Sequence, residues 1–143
     1  MRWAKSLDSA LTGGPESTLV VAAMIGQEAV VTWVGDSRAY LVPLEGPMRL
    51  LTAQASKRRL GSGDAQARVL REALRRRDTL VLLSDGAWGP LGSTGLERVV
   101  RSTLTKPFTD LPGAILDAAS PRGRGNDMTA VTMRIPHHIR SHP

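Results

Sequence analysis

The chain has 143 residues, a net charge of +6, no cysteine, and 41% hydrophobic, 22% charged and 3% aromatic residues. That length supports one domain with one modest core, and the lack of cysteine excludes disulfides, thiolate metal sites and cysteine nucleophiles. With no apolar run near the roughly 20 residues that span a bilayer, and no signal-peptide pattern over Met1–Asp8, the expectation is a reducing cytoplasm and no membrane association. The positive charge would suit nucleic acid, an acidic membrane or a phosphorylated substrate. Aromatic residues are too few for stacking platforms, so nucleic acid is not expected, and the charge reads as solvated arginine-rich faces.

Residues 1–16 are mixed and end in the turn signal Gly13-Gly14-Pro15-Glu16, with 1–13 set apart as an N-terminal segment. The short β-branched run 17–25 predicts a buried strand, and 28–34 a second, joined through Gly26-Gln27 as a hairpin. Gly35-Asp36-Ser37-Arg38 interrupts the pattern; strands are predicted again at 39–42 and 48–51, giving four consecutive antiparallel strands in a meander. Asp64 is placed to cap a helix over 65–76, with Val69, Leu70, Ala73 and Leu74 on one face. Arg68, Arg71 and Arg75 on the other face read as solvated rather than phosphate-binding.

Residues 78–83 are continuously apolar and predict a strand buried on both faces. Helices are expected near 94–104 and 110–119, separated by Pro107, with Thr109 or Asp110 able to cap the second. A flexible loop, 121–125, precedes a last strand over 128–135, and residues 136–143 read as a disordered tail that includes His137, His138 and His142. No internal repeat is present. The order predicts an α+β fold in which antiparallel β-sheets pack with helices, the domain proper covering 14–135.

Asp36, Asp85 and Asp127 each lie at the end of a predicted strand beside glycine or small polar residues. A strand end fixes the backbone, and the adjoining turn can aim a short carboxylate into a cleft. Hard oxygen donors suit Mg²⁺ or Mn²⁺, and neither soft ligands nor an imidazole cluster favours another metal. Each aspartate alone is an ordinary turn residue. Trp88 reads as a packing residue. Ser37, Ser84 and Thr129 have no neighbouring histidine base, so a Ser-His-Asp hydrolase has no support.

Together these segments resemble a known family. Val34-Gly35-Asp36-Ser37-Arg38-Ala39-Tyr40 resembles the V-G-D-S-R-A-Y motif of PPM-type (type-2C) metal-dependent protein serine/threonine phosphatases. Asp78 through Trp88, which contains Ser84-Asp85-Gly86, resembles that family's G-D-x-L-L-L-x-S-D-G-L-W. Asn126-Asp127-Met128-Thr129-Ala130-Val131 resembles its closing D-[ND]-[MI]-T-x-V, Gly14–Leu19 its G-x-T-x segment, and Leu50-Leu51-Thr52 its L-T-x-D-H. The resemblance implies a binuclear Mg²⁺ or Mn²⁺ centre between two β-sheets flanked by helices, where metal-activated water hydrolyses phosphoserine or phosphothreonine. It makes Asp85 a core metal ligand and Asp36 a ligand of a further, weaker metal, with Asp127 or Asn126 at the last metal position. Gly35, Ser37, Arg38, Ser84, Gly86 and Thr129 support the motifs, Arg38 ordering its loop rather than binding phosphate. The implied partners are a phosphorylated protein and a cognate serine/threonine kinase, in cytoplasmic signalling.

The chain also departs from that family. Its opening N-E-D and D-G-[MH]-G-G segments, which supply the bridging Asp and part of the phosphate pocket, do not occur here. The metal Asp aligns with Asn126, whose neutral amide binds a hard cation more weakly. Gln54-Ala55 replaces the usual D-H. Two functions therefore stay open, a truncated or fragmentary phosphatase chain and a non-catalytic phosphatase-like regulatory or binding module. Little or no activity is expected of these residues alone, together with an exposed sheet face or edge.

Overall fold

The computed structural model describes residues 2–54, 58–121 and 127–135. Its elements run α1 (Arg2–Leu11), β1 (Leu19–Ile25), β2 (Glu28–Val34), β3 (Arg38–Val42), β4 (Arg49–Leu50), β5 (Arg68–Ala73), β6 (Thr79–Leu83), α2 (Asp85–Ser102), α3 (Leu111–Ala119) and β7 (Ala130–Arg134). The strands form two antiparallel sheets, β1-β2-β5 and β4-β3-β6-β7. This is the α+β architecture the pattern of elements predicts.

The two sheets face each other across one core. From the first sheet Ala29, Val31 and Trp33 point inward, joined by Val20, Ala22, Met24 and Leu70; from the second come Ala39, Leu41, Leu80 and Leu82. Alternate residues of the same strands, Tyr40, Val42, Val81 and Leu83, face the other way and pack on Leu96, Val100, Leu111 and Ile115 of α2 and α3. The central strands of the second sheet are thus apolar on both faces, which is why residues 79–83 carry an unbroken apolar run. A smaller cluster of Val34, Leu60 and Ala65, with Leu11 against it, anchors α1 and the loop after β4.

Three expectations need correction. The four-strand meander is two hairpins in different sheets: β2 pairs with β1 and β5, while β3 pairs with β4 and β6. The chain crosses between sheets at Gly35-Asp36-Ser37, where Gly35 has φ of +90° and its Cα hydrogen faces the Thr18 side chain. The helix expected over 65–76 is strand β5, because residues 68–73 complete the first sheet against β2, with Glu28 opposite Ala73 and Trp33 opposite Arg68. Non-local pairing overrides a helix-like spacing there. Residues 2–11, read only as a mixed segment, are helical, and Asp8 explains why they hold. Its carboxylate is buried, accepting N–H groups from Gly61 at 2.7 Å, Gly63 at 3.3 Å and Ala65 at 3.0 Å.

The helices after β6 form as expected, and the first of them begins earlier. α2 starts at Asp85 and breaks at Gly92 (φ 61°, ψ 177°), with Pro90 just before the break, so the regular stretch starts close to the predicted residue 94. A 3-10 turn at Phe108–Asp110 leads into α3, and Asp110 occupies the cap position without a side-chain capping bond. Among the described residues no helix is long and apolar enough to cross a membrane. The loop 121–125 lies largely, and Asn126 and the tail with His137, His138 and His142 lie wholly, outside the described residues.

Candidate functional site

The ladder register brings the motif segments to one end of the sandwich. Arg38, at the start of β3, lies opposite Leu83 at the end of β6, which lies opposite Ala130 at the start of β7. Asp36, Asp85 and Asp127 therefore leave the second sheet at neighbouring strand ends. The first sheet joins them there, because Val34 precedes Gly35 directly and pairs with Leu19.

Hydrogen bonds tie these turns to one another. Ser84 Oγ accepts the Thr129 N–H at 2.9 Å and lies 3.4 Å from Asp127 O, while the Ser84 N–H donates to Thr129 O at 3.1 Å. Trp88 Nε1 donates to Asp36 O at 3.2 Å. The Arg38 guanidinium lies 3.3 Å over the Trp88 ring and donates to Tyr40 Oη at 3.1 Å. A cation stacked on an indole face in a part-buried position is worth about 1 kcal/mol, so Arg38 and Trp88 lock the Asp36 turn onto the start of α2. Thr18 and Ser37 hydroxyls share a 2.7 Å hydrogen bond between the two sheets. Gly35 permits that closeness, since a Cβ there would sit 2.6 Å from Thr18 Cγ2.

The three carboxylates differ in surroundings. Asp36 Oδ2 lies 3.3 Å from Arg59 Nη2, both side chains being part-exposed. Asp85 is exposed in the first turn of α2, its Oδ1 accepting the Gly86 N–H at 2.9 Å. The partial positive charge of a helix N-terminus favours an anion there. Asp127 is exposed and joined to Ser84 through its carbonyl. Beside them a cleft of about 260 Å³ opens between β1 and β7, with Thr18, Ser37, Ser84 and Thr129 at its polar end and Leu19, Val20, Leu82 and Val131 in its walls.

The donor chemistry is right for a hard divalent cation, but the count is short. Among the described residues no three His, Cys, Asp or Glu side chains are grouped as a metal site. Asp36, Asp85 and Asp127 share an end of the molecule without forming a shared coordination sphere. These residues alone do not fit a two-metal centre, which requires more oxygen donors.

Sequence reasoning passed over two of the groups that hold this end together. Arg59 lies in a polar loop with no periodic signal. Trp88 does more than pack, because its indole N–H carries the link to Asp36. Thr18 was within reach, because the Gly14–Leu19 segment contains it.

Comparison with known proteins agrees with the fold. Neither family models nor curated proteins match the sequence. Solved structures do. The Mycobacterium tuberculosis serine/threonine phosphatase PstP/Ppp aligns with a TM-score of 0.78 at 16% identity, over 94% of this chain and 68% of that one. The chain has the fold of the bacterial serine/threonine phosphatases. The S. agalactiae serine/threonine phosphatase gives a TM-score of 0.78 at 19% identity, over 92% of this chain and 68% of that one. The catalytic domain of PstP in complex with two manganese ions gives 0.72 at 19% identity, over 90% of this chain and 64% of that one. The chain thus spans about two thirds of the length of these structures.

Proposed function

We propose that this chain contributes to metal-dependent hydrolysis of phosphoserine and phosphothreonine in proteins, with Asp85, Asp36 and Asp127 among the oxygen donors to Mg²⁺ or Mn²⁺. One observation carries the reading. Three segments that resemble phosphatase motifs, far apart in sequence, meet at one end of the sandwich and are joined through Trp88 and Ser84. A fold shared with serine/threonine phosphatases, one of them holding two manganese ions, supports it.

When bound, a pair of divalent ions supplies water activated at neutral pH and neutralises phosphoryl charge. The residues of this chain would position that chemistry. Arg38 and Trp88 hold the Asp36 turn, Ser84 holds the Asp127 turn against β6, and the first turn of α2 holds Asp85. Donors beyond the described residues would complete the centre, with a cognate kinase supplying the phosphorylated protein in the cytoplasm.

The test is hydrolysis of a phosphothreonine peptide with and without Mn²⁺, beside the Asp85→Asn variant. Manganese-dependent turnover abolished by that substitution is the expected result for the completed site. Folded protein carrying the complete donor set that hydrolyses nothing would overturn the catalytic reading and identify a non-catalytic binding module.

A further inference from the structure

The end opposite the acidic turns carries arginines that nothing described so far uses. The chain passes from β5 to β6 through Leu74-Arg75-Arg76-Arg77-Asp78. Asp78 is buried and closes this turn. Its Oδ2 accepts the Arg75 N–H at 2.8 Å, and its own N–H donates to Arg75 O at 3.1 Å. Arg75, Arg76 and Arg77 are left exposed.

Arg134 of β7 lies beside them, because it pairs with Thr79. Its Nε and Nη2 each lie 3.0 Å from Thr79 Oγ1, and its guanidinium stacks 4.4 Å from the Phe108 ring centre. That mount fixes its position. Burial first, and then the charge of Arg77, hold Arg134 below the ordinary arginine range, so the two cations are close enough to repel. Elsewhere Arg49, Arg58, Arg59, Arg71 and Arg101 each meet a carboxylate. Among the described residues none of the four arginines at this end forms an ion pair.

The backbone adds an independent observation. Arg77 has φ of +69°, the one non-glycine residue with positive φ among the described residues. The left-handed region is disfavoured for a residue bearing Cβ, whereas glycine adopts it freely. A guanidinium is held where a bare glycine would fold more easily, next to a second cation, and among the described residues neither forms an ion pair.

We propose that the Arg75–Arg77 turn and Arg134 form a docking site for a phosphorylated, acidic segment of a protein substrate. This rests on the phosphatase reading and adds to it a contact remote from the reacting phosphate. Arg77 and Asp85 stand at opposite ends of β6, eight residues apart in sequence, which corresponds to about 25 Å of extended chain. A substrate bound at both places carries its docking phosphates about eight residues from the phosphoserine or phosphothreonine that reacts. Nucleic acid fits less well. The Phe108 ring, the aromatic face at this end, is already covered by the Arg134 guanidinium, so a base has no platform there on which to stack.

The experiment is fluorescence anisotropy without added metal. The probe is a labelled peptide carrying one phosphothreonine and, eight residues away, a pair of phosphoserines. The full chain is expected to bind it with an affinity that falls as salt rises, and the Arg76→Ala, Arg77→Gly double variant to bind about tenfold more weakly or worse. A thermal melt accompanies the binding. The double variant should be at least as stable as the parent, because glycine removes the strained φ, so lost binding then reports the lost charges. A parent that does not bind the peptide, or a variant that binds it equally well, overturns the proposal. Tighter binding of duplex DNA, or of phosphatidylserine vesicles, than of the peptide also overturns it. Because no turnover is read, a chain that binds the peptide yet hydrolyses nothing with its donor set complete contradicts the catalytic reading and supports the docking site.

Discussion

The two sheets share one core and carry different loads. The second sheet is packed on both sides, by the first sheet on one and by α2 and α3 on the other. The first sheet is packed along its whole inner side, but on its outer side only at one end, where Leu19 and Val34 meet Leu60, Ala65 and Leu11. Its outer rows, such as Val21 beside Thr32 and Val69, leave Val21, Ile25 and Val69 exposed. One sheet therefore carries the fold and mounts the acidic turns, while the other closes the core and presents apolar surface and a free β1 edge. The contrast predicts that equal truncations in the two sheets have unequal costs.

The largest effect should come from Leu83→Ala. Leu83 is 1% exposed and packs under α2 and α3 next to Ser84, and such truncations cost about 2–5 kcal/mol. Chemical denaturation should show a fall in that range. Gly35→Ala should follow at about 2 kcal/mol, from the left-handed backbone together with a Cβ driven against Thr18. The same variant should loosen the Asp36 turn, seen as weaker Mn²⁺ binding in calorimetry, whereas Leu83→Ala should leave metal affinity closer to the parent's per folded molecule. At the small end, Val21→Thr on the outer face should change stability by about 0.5 kcal/mol or less. An equal loss from Val21→Thr and Leu83→Ala would end the comparison.

Acid tests the first sheet's side in another way. Burial raises the Asp8 carboxyl, but N–H donors from Ala65, Gly61, Gly63 and Ser62 outweigh it and hold it below its ordinary value. A carboxylate depressed in the folded state stabilises the protein above its unfolded value near 4, and that contribution is lost as pH falls through the folded value. The α1 attachment should therefore loosen below about pH 4, and Asp8→Asn should flatten that part of the stability profile. Hydrogen exchange at Gly61, Gly63 and Ala65 is the readout. Unchanged exchange in the variant would contradict the carboxylate's role.

The same division explains what was legible in the sequence. β6 declares itself because both of its faces are buried, leaving five consecutive buried positions. β5 hides because only Leu70 and Glu72 turn toward the interior, so its pattern lacks clear alternation, and Val69, Leu70, Ala73 and Leu74 imitate a helix face. Its partner β2 lies some forty residues away, and local sequence does not encode that pairing. α1 was obscured by Asp8, a poor mid-helix residue kept for the loop it clamps. At the acidic end the turns were legible because glycine and small polar residues punctuate strand ends. How the carboxylates would be aimed was not, because side-chain direction follows from tertiary partners such as Arg59 rather than from the motif.

The central claim is that the turns bearing Asp36, Asp85 and Asp127 act as one cation-attracting end. Paramagnetic broadening of backbone amide signals during a Mn²⁺ titration tests it most directly. The account predicts that Gly35, Ser37, Gly86 and Met128 broaden together at low Mn²⁺ while Arg76, Arg77 and Asp78 at the far end of β6 stay sharp. Broadening at only one of the three turns, or at neither end, would contradict it.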